Sequence, residues 1–304
     1  MRNILRLVLC AGLLAVALGP ADAIAQEGRG AWMFETGALG GYHSNFFFRG
    51  EGLTAPSTTM FNIYANAEGE YRKGANRYTF LFDVGAVRTG DISSGDYYSL
   101  LSGLEFRRRS NRVTGEFFLM PNRVYDDEGD GVFFDSLGTE LQYRRVLGPG
   151  LWVRADYGLE LWRFDPVDAE RDSTTHDLSG SVRVPLSERV GVRGSFYYGI
   201  RIAEAERYNF NSVGVAVALE AQPTERIQIF VRYKVRSRDY NDASLGDNNY
   251  LREDTVHDVV ANLRWLLGDR WGIRIENFYR TGSSTREDRN YSGNRLLAGA
   301  FLLF

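Results

Sequence analysis

The chain of 304 residues has one cysteine, four methionines, seven prolines and three histidines. The cysteine, Cys10, falls inside an N-terminal leader, so the mature chain has no thiol. Disulfides and thiolate chemistry are thereby excluded. No apolar run is long enough for a membrane-spanning helix. The longest, Leu7 to Leu18, falls short of the roughly 20 residues such a helix needs. Mean hydropathy is −0.30, well below that of a helical membrane protein. Positive charge is not in excess either. The formal net charge is −3, which argues against nucleic acid as a partner.

The leader is built like a secretory signal. Arg2 and Arg6 give a basic start, Leu7 to Leu18 the apolar middle, and Ala23-Ile24-Ala25 a small-x-small cleavage site. Residues 1–25 are removed on this reading, and the mature domain is 26–304. Leu7-Val8-Leu9-Cys10 has the outline of a lipoprotein box, but it precedes a complete apolar region and Leu9 is bulky where a small residue is wanted.

What the chain does have is glycine (33 residues) and aromatics (13%), spread over segments that alternate apolar and polar with period two. Fourteen such segments are predicted: 31–49, 57–72, 76–89, 95–108, 111–125, 132–146, 150–165, 173–185, 188–202, 207–222, 225–240, 251–267, 269–282 and 289–304. Each meets the roughly 9–11 residues of a tilted membrane-spanning strand. In the eleventh, Ile227, Ile229, Val231, Tyr233 and Val235 oppose Gln228, Arg232, Lys234, Arg236 and Arg238. The first, fourth and last alternate poorly.

The links alternate as well. Lys73-Gly74-Ala75, Ser110, Leu147-Gly148-Pro149, Ser187, Pro223-Thr224 and Gly268 are short; the intervening ones, such as 126–130, 165–172 and 241–250, are longer and polar. Short turns on one side and long loops on the other are the rule of outer-membrane barrels. A soluble sandwich would show alternating strands too, but not this alternation of links, nor arginine-rich faces needing a wet interior. The predicted fold is therefore all-β: a closed antiparallel transmembrane barrel of about fourteen strands, with twelve to sixteen allowed. An even count puts both termini on the periplasmic side of the outer membrane.

The final run sets Leu296, Ala298, Ala300, Leu302 and Phe304 on one face. It resembles the C-terminal signal by which the barrel assembly machinery recognises Gram-negative outer-membrane barrels, with Phe304 as its key residue. Gly41-Tyr42-His43-Ser44-Asn45-Phe46 is similar to the Tyr-x-Ser-Asn-aromatic edge of porin-like barrels and of barrel domains that assemble surface lipoproteins. The resemblance implies an outer-membrane location and contact with membrane lipid and lipopolysaccharide.

Charge on a lipid-facing barrel surface costs roughly 2–4 kcal/mol near the midplane, so charged residues should face the lumen. Period-two bookkeeping places Glu35, Glu68, Glu70, Asp83, Glu105, Glu116, Glu140, Asp156 and Glu160 inward in the first half. It places Arg183, Arg193, Arg201, Arg232, Lys234, Arg236, Arg238, Arg274 and Arg280 inward in the second. The predicted interior is thus acidic early and basic late, a transverse field across a pore for small hydrophilic solutes, anions among them. The alternative is a lumen plugged by those same charges. Arg232, Lys234, Arg236 and Arg238 form a basic ladder suited to phosphate or carboxylate, relieved in the bland reading by Glu220, Asp258 and Glu276.

Other functions find less support. His43-Ser44, His176-Asp177 and His257-Asp258 are sequence neighbours, so each pair points to opposite faces of a strand and makes no catalytic dyad. No enzyme, cofactor or metal is expected, an outer-membrane hydrolase being the remoter alternative. The acidic run 126–130 lacks the spacing of a calcium loop and reads as a solvated outer loop. A non-conducting barrel in surface-protein assembly, adhesion or a structural role is the alternative to a channel, and only about five residues precede the first strand to hold a partner domain. Trp32, Tyr71, Tyr78, Trp265, Trp271 and Phe304 near the short turns, and Tyr42, Phe46, Phe48, Tyr98 and Tyr279 toward the long loops, are predicted to form two interfacial girdles.

Overall fold

The computed structural model describes residues 30–44, 57–90, 97–108, 110–125, 132–164, 166–241, 252–285 and 290–304. The leader, Asn45 and Phe46 of the predicted edge motif, Phe48, the acidic run 126–130 and most of loop 241–250 lie outside them.

Fourteen strands form: β1 (Gly30–Ser44), β2 (Thr58–Lys73), β3 (Asn76–Thr89), β4 (Tyr97–Arg108), β5 (Asn111–Tyr125), β6 (Val132–Gly148), β7 (Leu151–Phe164), β8 (Ser173–Pro185), β9 (Val190–Ala203), β10 (Phe210–Thr224), β11 (Ile227–Tyr240), β12 (Glu253–Leu266), β13 (Trp271–Ser284) and β14 (Tyr291–Leu303). Each pairs antiparallel with its sequence neighbours, and β14 pairs with β1 to close the barrel. The predicted count and the alternation of links hold. At the first short turn Gly74 has φ +60° and at the third Gly150 has φ +70°, a region that glycine enters without steric cost.

The strands carry apolar side chains outward. On β10, Val213, Val215, Val217 and Leu219 are 40–52% exposed, while Ser212, Gly214, Ala216 and Ala218 between them are buried. A water-soluble sheet would bury the valines. An apolar outer face around a closed ladder of backbone hydrogen bonds is what hydrocarbon selects, because no water is there to satisfy free N–H and C=O groups.

The ladder is strongly staggered. Directly opposed residues run Gly30, Tyr71, Tyr78, Phe106, Val113, Tyr143, Ala155, Gly180, Phe196, Val215, Val235, His257, Thr281, Ser292 through all fourteen strands. Ser292 lies beyond the Ser44–Asn294 pair that joins β14 to β1. The row therefore misses its starting point by about the whole 15-residue length of β1. Strands tilted in this way bring together residues whose distances from the turns differ.

The seam between β1 and β14 is tight. A Cβ at Gly41 would collide with the Leu296 carbonyl, and one at Gly299 with that of Ala38. Phe304 extends the seam: its backbone N–H donates to the Phe34 carbonyl at 2.9 Å and its carbonyl accepts from the Phe34 N–H at 3.2 Å.

Next to the seam the inner wall is apolar. Leu39, Met60, Tyr64, Val87, Leu297 and Phe301 form a buried cluster on β1, β2, β3 and β14. This explains the weak alternation of the first and last segments: they are apolar on both faces.

Candidate functional site: the charged inner wall

The inner face is identified by contacts that skip strands. Arg264 on β12 donates from Nη2 to Oε2 of Glu35 on β1 at 2.7 Å. The Arg274 guanidinium on β13 lies 5.4 Å from the ring centroid of Tyr64 on β2. Arg183 on β8 donates from Nε to Oε2 of Glu220 on β10 at 2.9 Å. Only side chains turned inward can reach past an intervening strand.

Following the register from these residues, the inward face holds Glu68, Glu70, Asp83, Glu105, Glu116, Glu140, Asp156 and Glu160 on β2–β7. On β9–β13 it holds Arg193, Arg201, Arg232, Lys234, Arg236, Arg238, Arg274 and Arg280. Two of these are shut off from solvent. Arg201 is 1% and Arg238 0% exposed.

The expected division into an acidic first half and a basic second half needs correction. Arg72, Arg77, Arg107, Arg112, Arg144 and Arg154 stand directly opposite one another on six consecutive strands, β2 to β7, at the short-turn end. One step further in lie Glu70, Glu105 and Asp156, with Thr79, Thr114 and Gln142 between them. Glu68, Glu116 and Glu140 occupy the step beyond. Charge on this side is layered along the strands, arginine at the turns and carboxylate above. Glu70 binds Arg72 and Arg77, and Glu105 binds Arg112. Arg154 reaches Asp156, Nε to Oδ2, at 3.0 Å. These arginines share strand parity with Asp83, Glu105, Glu116, Glu140 and Asp156, so their inward face was legible in the sequence.

The basic ladder of β11 is also altered. The carboxylates expected to relieve it are engaged elsewhere. Glu220 takes Arg183 and Arg193, Asp258 takes Arg280 at 2.7 Å, and Glu276 takes Arg274 at 2.6 Å. Lys234 faces Asp258 in register and lies 4.2 Å from the Tyr197 ring centroid. The Arg238 guanidinium lies 5.2 Å from the ring of Phe210. Arg201 lies between Trp162 (4.7 Å) and Phe210 (5.8 Å) and donates to the Ser173 hydroxyl and the Arg171 carbonyl. Arg252 stacks over Tyr240 at 4.3 Å and pairs with Asp254. These arginines brace the long-loop end of β7–β12, where desolvated cation–ring contacts contribute about 2 kcal/mol each.

The long-loop end carries further order. A 3₁₀ turn at Pro166–Arg171 meets another at Glu206–Tyr208. Glu170 accepts from the Tyr208 hydroxyl at 3.1 Å and pairs with Arg207, and its carbonyl accepts from the Ala205 N–H at 2.9 Å.

Of the histidines, His176 and His257 face outward, where Nδ1 meets the hydroxyls of Tyr157 and Tyr233 at 2.9 and 2.7 Å. Asp177 and Asp258 face inward by the alternation of the strands. His43 is buried on the opposite face from Ser44. Of the predicted girdle residues that are described, Trp32, Tyr71, Trp265, Trp271, Phe304, Tyr42 and Tyr279 are all exposed on the outer face.

No family model matches the chain, and no curated protein matches it. Solved structures do. OmpT of Vibrio cholerae, expressed in the outer membrane, superposes with a TM-score of 0.52 at 11% identity, over 93% of this chain and 99% of that one. The loop L8 deletion mutant of the same outer-membrane protein gives 0.51 at 11%, over 92% and 100%. An anion-selective porin from Comamonas acidovorans gives 0.48 at 7%, over 91% and 100%. The likeness is one of fold, the closed barrel of outer-membrane proteins.

Proposed function

We propose that the protein is an outer-membrane channel through which small hydrophilic solutes, anions among them, diffuse passively. Its termini and short turns face the periplasm, and the 3₁₀ turns lie outside the cell. Its outer face contacts membrane lipid and lipopolysaccharide, and Phe304 is read by the barrel assembly machinery.

One observation carries the channel reading: the inward charges pair along the wall. Even Arg264–Glu35 and Arg274 over Tyr64 reach only three strands round. Fourteen strands about 4.8 Å apart and tilted by about 40° enclose about 28 Å between opposite backbones. That is wider than two extended arginines end to end, so wall pairing leaves an aqueous path. Arg193, Arg232, Lys234, Arg236, Arg274 and Arg280 on one side, and Glu68, Glu70, Asp83, Glu105, Glu116, Glu140, Asp156 and Glu160 on the other, are the proposed lining.

The test is single-channel conductance of refolded 26–304 in a planar bilayer. Stable open steps are expected, with anion preference reduced by Arg232→Gln with Arg236→Gln. A folded but silent barrel would overturn the channel and favour the assembly, adhesion or structural role.

A further inference from the structure

The six arginines at the short-turn mouth outnumber the carboxylates that serve them. Glu70 serves two, Glu105 and Asp156 one each. Arg107 and Arg144 have no carboxylate partner among the described residues. The Arg144 guanidinium lies 5.5 Å from the Trp152 ring, and its Nε is buried without a hydrogen-bond partner, as are those of Arg77 and Arg112.

Like charges directly opposite one another on neighbouring strands are destabilising, and this row repeats that arrangement across five strand pairs. The turns sharpen the contrast. The short turns after β8, β10 and β12 carry Glu188-Arg189, Glu225-Arg226 and Asp269-Arg270, each acid followed by a base. The strand ends that lead into the turns after β2, β4 and β6 carry Arg72-Lys73, Arg107-Arg108 and Arg144-Arg145. The turns on one side are flanked by bases alone and those on the other carry paired charges, and the inward Arg183–Arg193 and Arg264–Arg274 pairs there are each served by Glu220, Glu35 or Glu276. Arginine also suits bidentate recognition of oxyanions.

We propose that the Arg72–Arg77–Arg107–Arg112–Arg144–Arg154 row is a binding site for a small multivalent oxyanion, phosphate-bearing, held at the short-turn mouth by guanidiniums of neighbouring strands. Two phosphate sources meet this mouth. A soluble anion would contact the inward row. A phospholipid headgroup would contact Lys73, Arg108 and Arg145, which the strand alternation turns outward beside Tyr71, Tyr78 and Tyr143. Arg107 and Arg144, inward and without an ion pair among the described residues, favour the soluble anion. The site deepens the channel reading by naming a solute class, but its binding needs no conduction.

The experiment is calorimetric titration of pyrophosphate into the refolded mature barrel in zwitterionic micelles at low salt. Arg107→Gln with Arg144→Gln should weaken binding at least tenfold. Arg108→Gln with Arg145→Gln should leave it within twofold. Arg107 is exposed, so the inward variant should close normally, which heat-dependent migration on gels checks. Absence of pyrophosphate binding to the native barrel, equal loss in both variants, or loss in the outward one alone would each overturn the site. A silent barrel that binds pyrophosphate would sink the channel and leave the site standing. A conducting barrel that does not bind would do the reverse.

Discussion

Arg264 and Glu35 meet on the inner wall, Nη2 to Oε2 at 2.7 Å, although β13 and β14 separate their strands. The Tyr64 hydroxyl donates to the other carboxylate oxygen at 3.0 Å, and the Arg264 guanidinium lies 4.4 Å from the Phe301 ring centroid. The pair ties the first and twelfth strands across the closure.

Removing Arg264 should therefore destabilise the barrel. Arg264→Ala leaves a largely buried carboxylate without its ion-pair partner, a loss of roughly 1–3 kcal/mol. Adding Glu35→Gln should recover part of it. Urea unfolding in lipid vesicles reads both, and equal stability of the two variants would show that Glu35 does not depend on Arg264.

The terminal strand should respond differently on its two faces. Phe301, at 1% exposure, packs in the apolar inner cluster, whereas its neighbour Leu302, at 48%, faces outward. Phe301→Ala should cost about 3–5 kcal/mol, and Leu302→Ala markedly less. Unfolding midpoints of the two variants measured side by side decide this. A larger loss at Leu302 would reverse the assigned faces.

The seam should reject side chains. Gly41→Val and Gly299→Val place a Cβ against the opposing backbone, where neither strand can yield without opening the ladder. The expected result is a folding defect, seen as loss of the compact band on unheated gels. Gly40→Val, where a Cβ meets nothing within 4 Å, is the control that should fold.

The docked 3₁₀ turns give a pH dependence. The Arg207 guanidinium beside Glu170 holds that carboxyl below its ordinary range, with the Tyr208 hydroxyl assisting. The carboxylate is the bound form, so the contact contributes fully above the ordinary glutamate value of about 4.3. It is lost only as pH falls through the lowered one. A carbon-detected NMR titration should place the Glu170 midpoint below that ordinary value. An unshifted midpoint would mean the turns are not joined through this carboxylate. At neutral pH, Glu170→Gln should speed tryptic cleavage after Arg207.

Much of this was legible in the chain. The valines of β10 and the arginines of β11 fall on opposite faces because a strand places successive side chains on opposite sides, and lipid and water select between them. The turns were equally readable, since Lys73-Gly74-Ala75 and Leu147-Gly148-Pro149 carry the residues tight turns require. Arg77, Arg107, Arg112, Arg144 and Arg154 were readable too, by the same parity that found Glu105 and Asp156. Their distance from the turns, not their half of the chain, sets their place on the inner wall.

The sequence by itself determined the strands, an even count of about fourteen, the ends of the hairpins and the face each side chain takes, because these are local consequences of a period of two and of turn chemistry. Tertiary structure alone decided which residues share a level. The stagger that carries the row from Gly30 to Ser292 is a property of closure, fixed only when β14 meets β1. The register of neighbouring strands lines up six arginines from six strands, while closure brings Arg264 to Glu35 and gathers Leu39, Tyr64, Leu297 and Phe301 into an apolar inner wall. Packing among β7 to β11 folds Arg201 and Arg238 under aromatic rings. Spacing along a strand is covalent; neighbours across a barrel depend on the whole ring.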